Sequence, residues 1–266
     1  MLAKQRQDLI LAEVRRHGGV RVSELVELLG VSDMTVRRDL EALDNQGLLD
    51  KVHGGASAGR LRATEEPGFQ AKSLRELAEK EAIAARAVEL VRPGTGVGLS
   101  AGTTTWVLAR RLCEIPELTI VTNSTRVADV LHQAARPDQS VVLTGGIRTP
   151  SDALVGPLAV SALSALHLDM VFMGSHGMDE ESGFTTPNLM EAETNRAFIR
   201  AARRLVVLAD HTKWGVVGLS AFAGPREADV LVTDSGLPRR ARDLMGELVD
   251  DLVVADVDAP EEPTGT

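Results

Sequence analysis

The chain has 266 residues, 44% hydrophobic and 25% charged, with a net charge of −9. That length and composition permit one large domain or two smaller ones with a sizeable core, and because Tyr is absent and aromatics are only 3%, the core must be aliphatic. A single cysteine, Cys113, excludes an internal disulfide framework and a cysteine-based zinc cluster, and no apolar run nears the ~20 residues of a membrane span or the stretch of a signal peptide. A cytoplasmic protein that uses no membrane is expected.

The first element is a helical run from about Leu2 to His17, carrying Leu9, Ile10, Ala12 and Val14 and ended by Gly18-Gly19. Val20-Arg21-Val22 is a short extended piece. Ser23 then caps a second helix bearing Leu25, Val26, Leu28 and Leu29, which Gly30 stops. Ser32 is the N-cap of a third helix, with Asp33 at its positive end and Val36, Leu40 and Leu43 on the inward face. Met34, Thr35, Arg37 and Arg38 are left pointing outward. Arg can fork onto guanine or clamp phosphate, and Thr can reach a phosphate or a thymine methyl. Alone, those nine residues also fit an ordinary surface helix. The helix, glycine turn and helix in front of them give the helix-turn-helix pattern, whose second member lies in the major groove. Residues 47–56 then read as two short strands closing in a glycine turn, a wing that would lay Lys51 and His53 along a phosphate backbone.

These residues carry a resemblance. Arg6, the Val31-Ser32-x-x-Thr35-Val36-Arg37-Arg38-Asp39-Leu40 core and the Val52-His53-Gly54-Gly55-Ala56 ending resemble the DNA-binding domain of DeoR-type bacterial transcription regulators. The resemblance covers residues 1–57 and implies that Thr35, Arg37 and Arg38 contact double-stranded operator DNA. Charge sets a condition on this. Residues 1–56 hold eight Lys or Arg against nine Asp or Glu, a net of −1, so affinity must come from a few placed cations that a dimer would double.

Residues 58–75 include Gly59, Pro67 and Gly68 among mixed charges and read as a linker. From Glu76 the pattern is regular again. A helix runs to about Val91, then short apolar strands at 95–99, 118–121, 140–144, 169–174, 205–209, 228–233 and 251–254 alternate with helices near 104–113, 124–135, 156–165, 189–203 and 237–246. That alternation gives an α/β domain over 76–255 with a mostly parallel sheet, followed by a flexible tail at 256–266. In such a sheet, ligands sit beyond the carboxyl ends of the strands. Ser100-Ala101-Gly102-Thr103-Thr104-Thr105 follows the first strand and opens a helix, a phosphate cradle of small residues, free N–H groups and three hydroxyls. A simple capped turn is the plainer alternative. Asn123, Gly145-Gly146 and Asp210 with Lys213 stand at other strand ends, and each has a structural alternative as a cap, a turn or a brace.

The same stretch resembles the effector domain of the DeoR-type family through Glu79-Lys80-x-x-Ile83-Ala84, Gly102-Thr103-Thr104-Thr105, Val121-Thr122-Asn123-Ser124, Gly145-Gly146, Leu154-Val155-Gly156, Gly183-Phe184-Thr185-Thr186, Glu191 and Asp210-x-x-Lys213. The resemblance implies a fold like that of ribose-5-phosphate isomerase and a phosphorylated sugar as effector. Phosphate would sit on Gly102 to Thr105, with Lys213 as counter-charge and Asp210 and Glu191 on hydroxyls. Ser100 stands where the family usually has Asp, and Asn195 where a Lys is common. The expectation is a repressor of a carbohydrate-metabolism operon, working as a homo-oligomer (dimer or tetramer) with no cofactor. Two other readings are an isomerase fused to a DNA-binding module and a metalloprotein. The first lacks a carboxylate in Met173-Gly174-Ser175-His176-Gly177, and the second has only scattered histidines.

Overall fold

The structure, a computed structural model, describes residues 3–17, 19–45, 48–52, 54–57, 64, 66 and 68–257. It divides into two compact units, Met1–Arg62 and Ala63–Thr266.

The first unit contains α1 (Ala3–His17), β1 (Gly19–Arg21), α2 (Val22–Leu29), α3 (Asp33–Asn45), β2 (Asp50–Val52) and β3 (Gly55–Ser57). Helical spacing brings Ile10 and Val14 of α1, Leu25 and Leu29 of α2, and Val36, Leu40 and Leu43 of α3 into one core. Leu49 and Ala56 close it from the wing. α2 starts at Val22, so Ser23 lies inside the first turn rather than at the cap. Glu24 does the capping instead: its Oε2 accepts the Arg21 N–H at 2.9 Å. Gly30 ends the helix with φ at +63°, a left-handed conformation that a side chain disfavours. α3 has the expected cap, with Thr35 N donating to Ser32 Oγ at 3.3 Å. The wing has three strands rather than two, in the order β1-β3-β2, because Val20 of β1 aligns with Ala56 across an antiparallel pair. An ion pair ties α1 to α3, Arg6 Nε meeting Asp39 Oδ2 at 2.7 Å, with Asp39 nearly buried.

The second unit runs α4 (Phe69–Ser73), α5 (Leu77–Val88), β4 (Gly96–Leu99), α6 (Thr103–Leu112), β5 (Thr119–Thr122), α7 (Thr125–Ala134), β6 (Ser140–Leu143), β7 (Ile147–Arg148), β8 (Leu154–Val155), α8 (Pro157–Ser164), β9 (Met170–Gly174), β10 (Gly177–Asp179), β11 (Gly183–Thr186), α9 (Leu189–Ala201), β12 (Leu205–Leu208), β13 (Ser220–Ala223), β14 (Val230–Asp234), α10 (Arg239–Leu248) and β15 (Asp251–Ala255). Seven strands, one for each apolar run read as a strand, form a parallel sheet in the order β15-β14-β12-β9-β4-β5-β6. Successive side chains alternate faces. Val171, Met173, Val207 and Leu231 join a core with α9 and α10, while Met170, Phe172, Val206 and Val230 join another with α5 and α6. The unit is therefore a three-layer α/β fold.

Two features depart from the sequence reading. Part of the supposed linker is structured: α4 packs on α6, with the Phe69 and Trp106 rings edge to face at 5.8 Å and the Arg126 guanidinium over Phe69. Contacts so far apart in sequence leave no local periodicity to read. Three short strands also form a separate antiparallel sheet, β10-β11-β13, in which Thr185 aligns with Ala221. Of the proposed tail, residues 258–266 lie outside those described.

Leu40 is 1% exposed at the centre of the first unit, so Leu40→Ala should lower its stability by ~2–5 kcal/mol in urea titrations followed by circular dichroism. Met34, six residues earlier and 71% exposed, should tolerate alanine to within ~0.5 kcal/mol.

Candidate functional site

On the first unit, the outward face of α3 carries the residues nominated for DNA. Ser32 Oγ and Thr35 Oγ1 lie 2.9 Å apart, so these two hydroxyls engage each other. Arg37 turns back along its own helix, its Nε 2.5 Å from Asp33 Oδ1. Arg38 is exposed and has no ion pair or hydrogen bond to another described residue, which leaves its guanidinium available to an outside anion. Lys51 is exposed on β2, and its N–H is fixed to Asp44 Oδ1 at 3.1 Å, tying the wing to α3. His53 lies outside the described residues.

On the second unit, the strand order fixes where a ligand can enter. The chain goes from β4 outward through β5 to β6, then returns so that β9 takes the other side of β4. In open parallel sheets such a reversal of strand order is the place where ligands bind, at the carboxyl ends of the two strands. Ser100 bridges the two loops there, its Oγ accepting from Gly174 N at 3.3 Å. Ser100, one of the two residues that depart from the family pattern, thus ties together the loops that follow β4 and β9.

Gly102 leads into α6, where no side chain caps the helix. The N–H groups at the start of α6 and the helix dipole are left for an anion. Thr103 and Thr104 lie in this first turn, nearly buried. Thr105 does not contribute a free hydroxyl: Oγ1 donates to Ser100 O at 2.7 Å and lies 3.0 Å from Gly102 O, so it shapes the loop from inside. Asn123 is also a brace rather than a ligand group. Its Oδ1 accepts Ala101 N at 2.8 Å and its Nδ2 donates to Leu154 O at 3.0 Å, with the residue fully buried. Gly145 and Gly146 serve the backbone. Gly146 has φ at +129°, and a Cβ there would lie 2.6 Å from Val155 O, so only glycine lets the chain turn back into β7 and β8.

Asp210 and Lys213, on the turn after β12, meet at 3.5 Å between Lys213 Nζ and Asp210 Oδ2. Asp210 is completely buried. His211 between them is anchored to Asp234 at the end of β14, through His211 N at 2.7 Å and Nδ1 at 2.8 Å. This fixes the turn, and the Asp234 carboxylate raises the His211 pKa.

Around these groups the fold gathers charges that the sequence reading had not nominated. Lys72 of α4 is drawn below the usual lysine range by burial, opposed by the negative charges of Glu191 and Glu66. Lys80 of α5, 3% exposed, is lowered to about 8 by burial, with Asp210 opposing. Its Nζ donates to the carbonyls of Lys72 at 2.9 Å and of Arg75. Glu66 is clamped by Ser151 Oγ at 2.6 Å and Asn188 Nδ2 at 3.0 Å; despite burial, these bonds hold its carboxyl below the ordinary glutamate range. Glu191, in the first turn of α9, is pushed up to about 7 by desolvation, which the charge of Lys72 only partly offsets. His176, after β9, is held down to about 4 by burial and by the charges of Lys213 and Lys72.

The structure thus brings together Glu191, Asp210 and Lys213 of the nominated residues, and adds Glu66, Lys72, Lys80 and His176; Gly102 to Thr104 follow β4 at the same end of the parallel sheet. A compositional signal was available: the chain has 24 Arg but five Lys, and three of the five (Lys72, Lys80 and Lys213) meet at this edge. Among the described residues, no group of three or more His, Cys, Asp or Glu could hold a metal ion, and no helix is long and apolar enough to cross a membrane.

A winged helix-turn-helix unit joined to a sensor-like α/β unit defines a DNA-binding transcription regulator. Comparison with known proteins gives the family. A family described as DeoR-like helix-turn-helix domain matches residues 6–60, and one described as DeoR C terminal sensor domain matches residues 75–235. The chain is 38% identical to the HTH-type transcriptional regulator GlpR of Haloferax volcanii, over 91% of this chain and 94% of that protein. It is 35% identical to the uncharacterized HTH-type transcriptional regulator FruR of Bacillus subtilis, over 88% and 92%. It is 36% identical to the lactose phosphotransferase system repressor of Staphylococcus epidermidis, over 86% and 91%. The chain belongs to the DeoR family of transcription regulators, and with its relatives is a regulator rather than an enzyme. Among solved structures, a ribose 5-phosphate isomerase from Methanocaldococcus jannaschii aligns with 51% of this chain and 53% of its own at 20% identity and a TM-score of 0.38.

The raised Glu191 carboxyl sets a pH dependence. The folded chain retains a proton that the unfolded chain releases near 4.5, so this group's stabilisation is present at low pH and is lost as pH rises from 4.5 to about 7. The difference in melting temperature, Glu191→Gln minus unaltered protein, should therefore grow across that window. A constant difference would mean that Glu191 titrates normally.

Proposed function

We propose that this protein is a repressor of a carbohydrate-metabolism operon whose operator affinity is controlled by a phosphorylated sugar or sugar derivative bound in the second unit. The observation that carries this reading is the pairing of an uncapped helix N-terminus with three lysines at one sheet edge, beside carboxylates suited to hydroxyls. Phosphate is the group such a cradle recognises best. The family placement agrees, and one relative is named a lactose phosphotransferase system repressor and another a putative aga operon repressor.

In this reading, Gly102, Thr103 and Thr104 hold the phosphate, Lys213 and Lys72 neutralise it, and Asp210 and Glu191 receive hydroxyls. Thr105, Asn123, Gly145 and Gly146 keep the loops in shape. Arg38, Arg37, Thr35 and Ser32 face the operator from α3, with Lys51 and His53 on the wing. A ligand changes operator affinity only by its different affinity for two conformations or assemblies. Lys72 is suited to transmit that difference, because it lies in the segment directly after the DNA-binding unit in the chain. Winged domains act in pairs on repeated half-sites, so the protein works as a dimer or tetramer. The exposed apolar edge strand β6, with Val141, Val142 and Leu143, is the surface a second copy would cover. All of this takes place in the cytoplasm.

Two measurements test the reading. In gel shifts with the region upstream of the neighbouring operon, Arg38→Ala should weaken binding by ~1–3 kcal/mol and reduce the slope of affinity against salt by about 1 per bound protomer. Arg37→Ala should have a smaller effect because Asp33 already holds that guanidinium. Lys213→Ala should bind DNA normally and no longer respond to sugar phosphates. No shift on any promoter at low salt would sink the proposal.

A further inference from the structure

We infer that Met34 reads the C5-methyl group of an operator thymine, in register with a guanine that Arg38 reads one or two base pairs away. This rests on the operator reading of α3 above and extends it from a DNA-facing helix to the bases that helix selects.

Most outward side chains in the first half of α3 are already engaged. Thr35 Oγ1 lies 2.9 Å from Ser32 Oγ. Arg37 forks onto Asp33, with Nε 2.5 Å from Oδ1 and Nη2 3.3 Å from Oδ2, so these two charges neutralise each other. Asp39 is nearly buried against Arg6. Among the described residues this leaves Arg38, which is exposed and unpaired, and Met34. At 71%, Met34 is more exposed than Leu9, Leu28 or Val52, the other large hydrophobic side chains on the surface of the first unit. Met34 and Arg38 are four residues apart, so they share one face of the helix, with Cβ atoms ~5–6 Å apart.

Charge decides which end of the helix enters the groove. Arg37 and Arg38 lie in the first half of α3, whereas the exposed Glu41 and Asp44 lie in the second, where phosphates would repel them. The N-terminal half therefore leads, as in other helix-turn-helix units, and Met34 is its second residue. A methionine side chain has no donor, and its thioether is only a weak acceptor. It cannot read the amino, carbonyl or N7 groups of a base edge. The apolar group that the major groove presents is the thymine C5-methyl, and a flexible thioether packs against it without the fixed geometry of a hydrogen bond. Arg38 carries the fork that matches O6 and N7 of guanine. With bases stacked ~3.4 Å apart along a strand, a Cβ separation of ~5–6 Å places the two targets one or two steps apart.

The test begins by selecting binding sites for the full chain from a pool of randomised duplexes at low salt. Each thymine of the selected site is then replaced by deoxyuridine, which removes the methyl group and keeps the base pair. At one thymine per half-site, this should weaken the unaltered protein about fourfold, the value of one buried methyl group. Met34→Ala should bind the thymine and deoxyuridine duplexes equally, and Met34→Leu, which stays apolar, should keep the preference for thymine. Replacing a guanine within two base pairs of that thymine by 7-deazaguanine should weaken the unaltered protein and leave Arg38→Ala unaffected. An unchanged unfolding midpoint in Met34→Ala excludes loss of fold as the cause. A deoxyuridine penalty of the same size in Met34→Ala, no penalty at any thymine, or no Arg38-dependent guanine near the sensitive thymine overturns the inference and leaves α3 as the DNA-binding helix. Failure of any sequence to enrich from the pool overturns the operator reading itself.

Discussion

The second unit is organised by a cost: several charges are taken out of water at one sheet edge. Lys80 is almost fully buried, Asp210 completely so, and Lys72 and Glu191 are strongly desolvated. Isolated buried ions are costly, and they persist only where opposite charges and hydrogen bonds compensate them. Here Asp210 faces Lys213 and acts on Lys80, Glu66 and Glu191 act on Lys72, and backbone carbonyls receive the Lys80 ammonium. Compensation is incomplete, as the raised Glu191 and the lowered Lys80 record. Groups with shifted ionisation clustered in this way are common at functional sites, which is the physical basis of the proposed anion site.

Topology determines why the charges meet there. Parallel strands deliver all their carboxyl ends to one edge, and the reversal of strand order between β4 and β9 opens the backbone at that edge. Ser100, Thr105 and Asn123 then hold the loops by bonds to Gly174, Ser100 O and Ala101. These residues resemble ligand groups in a list of polar positions, yet their hydrogen-bonding capacity is already satisfied within the protein. His176 differs from them: its Nε2 is buried and has no hydrogen-bond partner among the described residues.

The DNA-binding unit follows another economy. It has no broad basic field, and within α3 one arginine is held by an aspartate four residues earlier while the next is free. Neighbouring residues point about 100° apart on a helix, which is how Arg37 can pair with Asp33 while Arg38 does not. Arg6 contributes as a brace, locking α1 to α3 through Asp39 and so fixing the helix that would enter the groove.

The sequence by itself determined the periodic features. It placed three helices and a wing in the first unit, and in the second the seven apolar runs that became the parallel sheet, because each element carries its own 3.6- or 2-residue pattern. It also nominated Asp210 and Lys213 at a strand end and, through the family resemblance, Glu191. Only the tertiary structure decided what depends on contacts distant in sequence. It made α4 part of the second unit through Phe69 on Trp106, and it brought Glu66, Lys72 and Lys80 to the sheet edge. It paired β11 with β13 and separated Thr105 and Asn123, which brace the loops, from His176, whose Nε2 remains unpartnered. Residue type states what a side chain can bond to; only packing states whether that bond is already made.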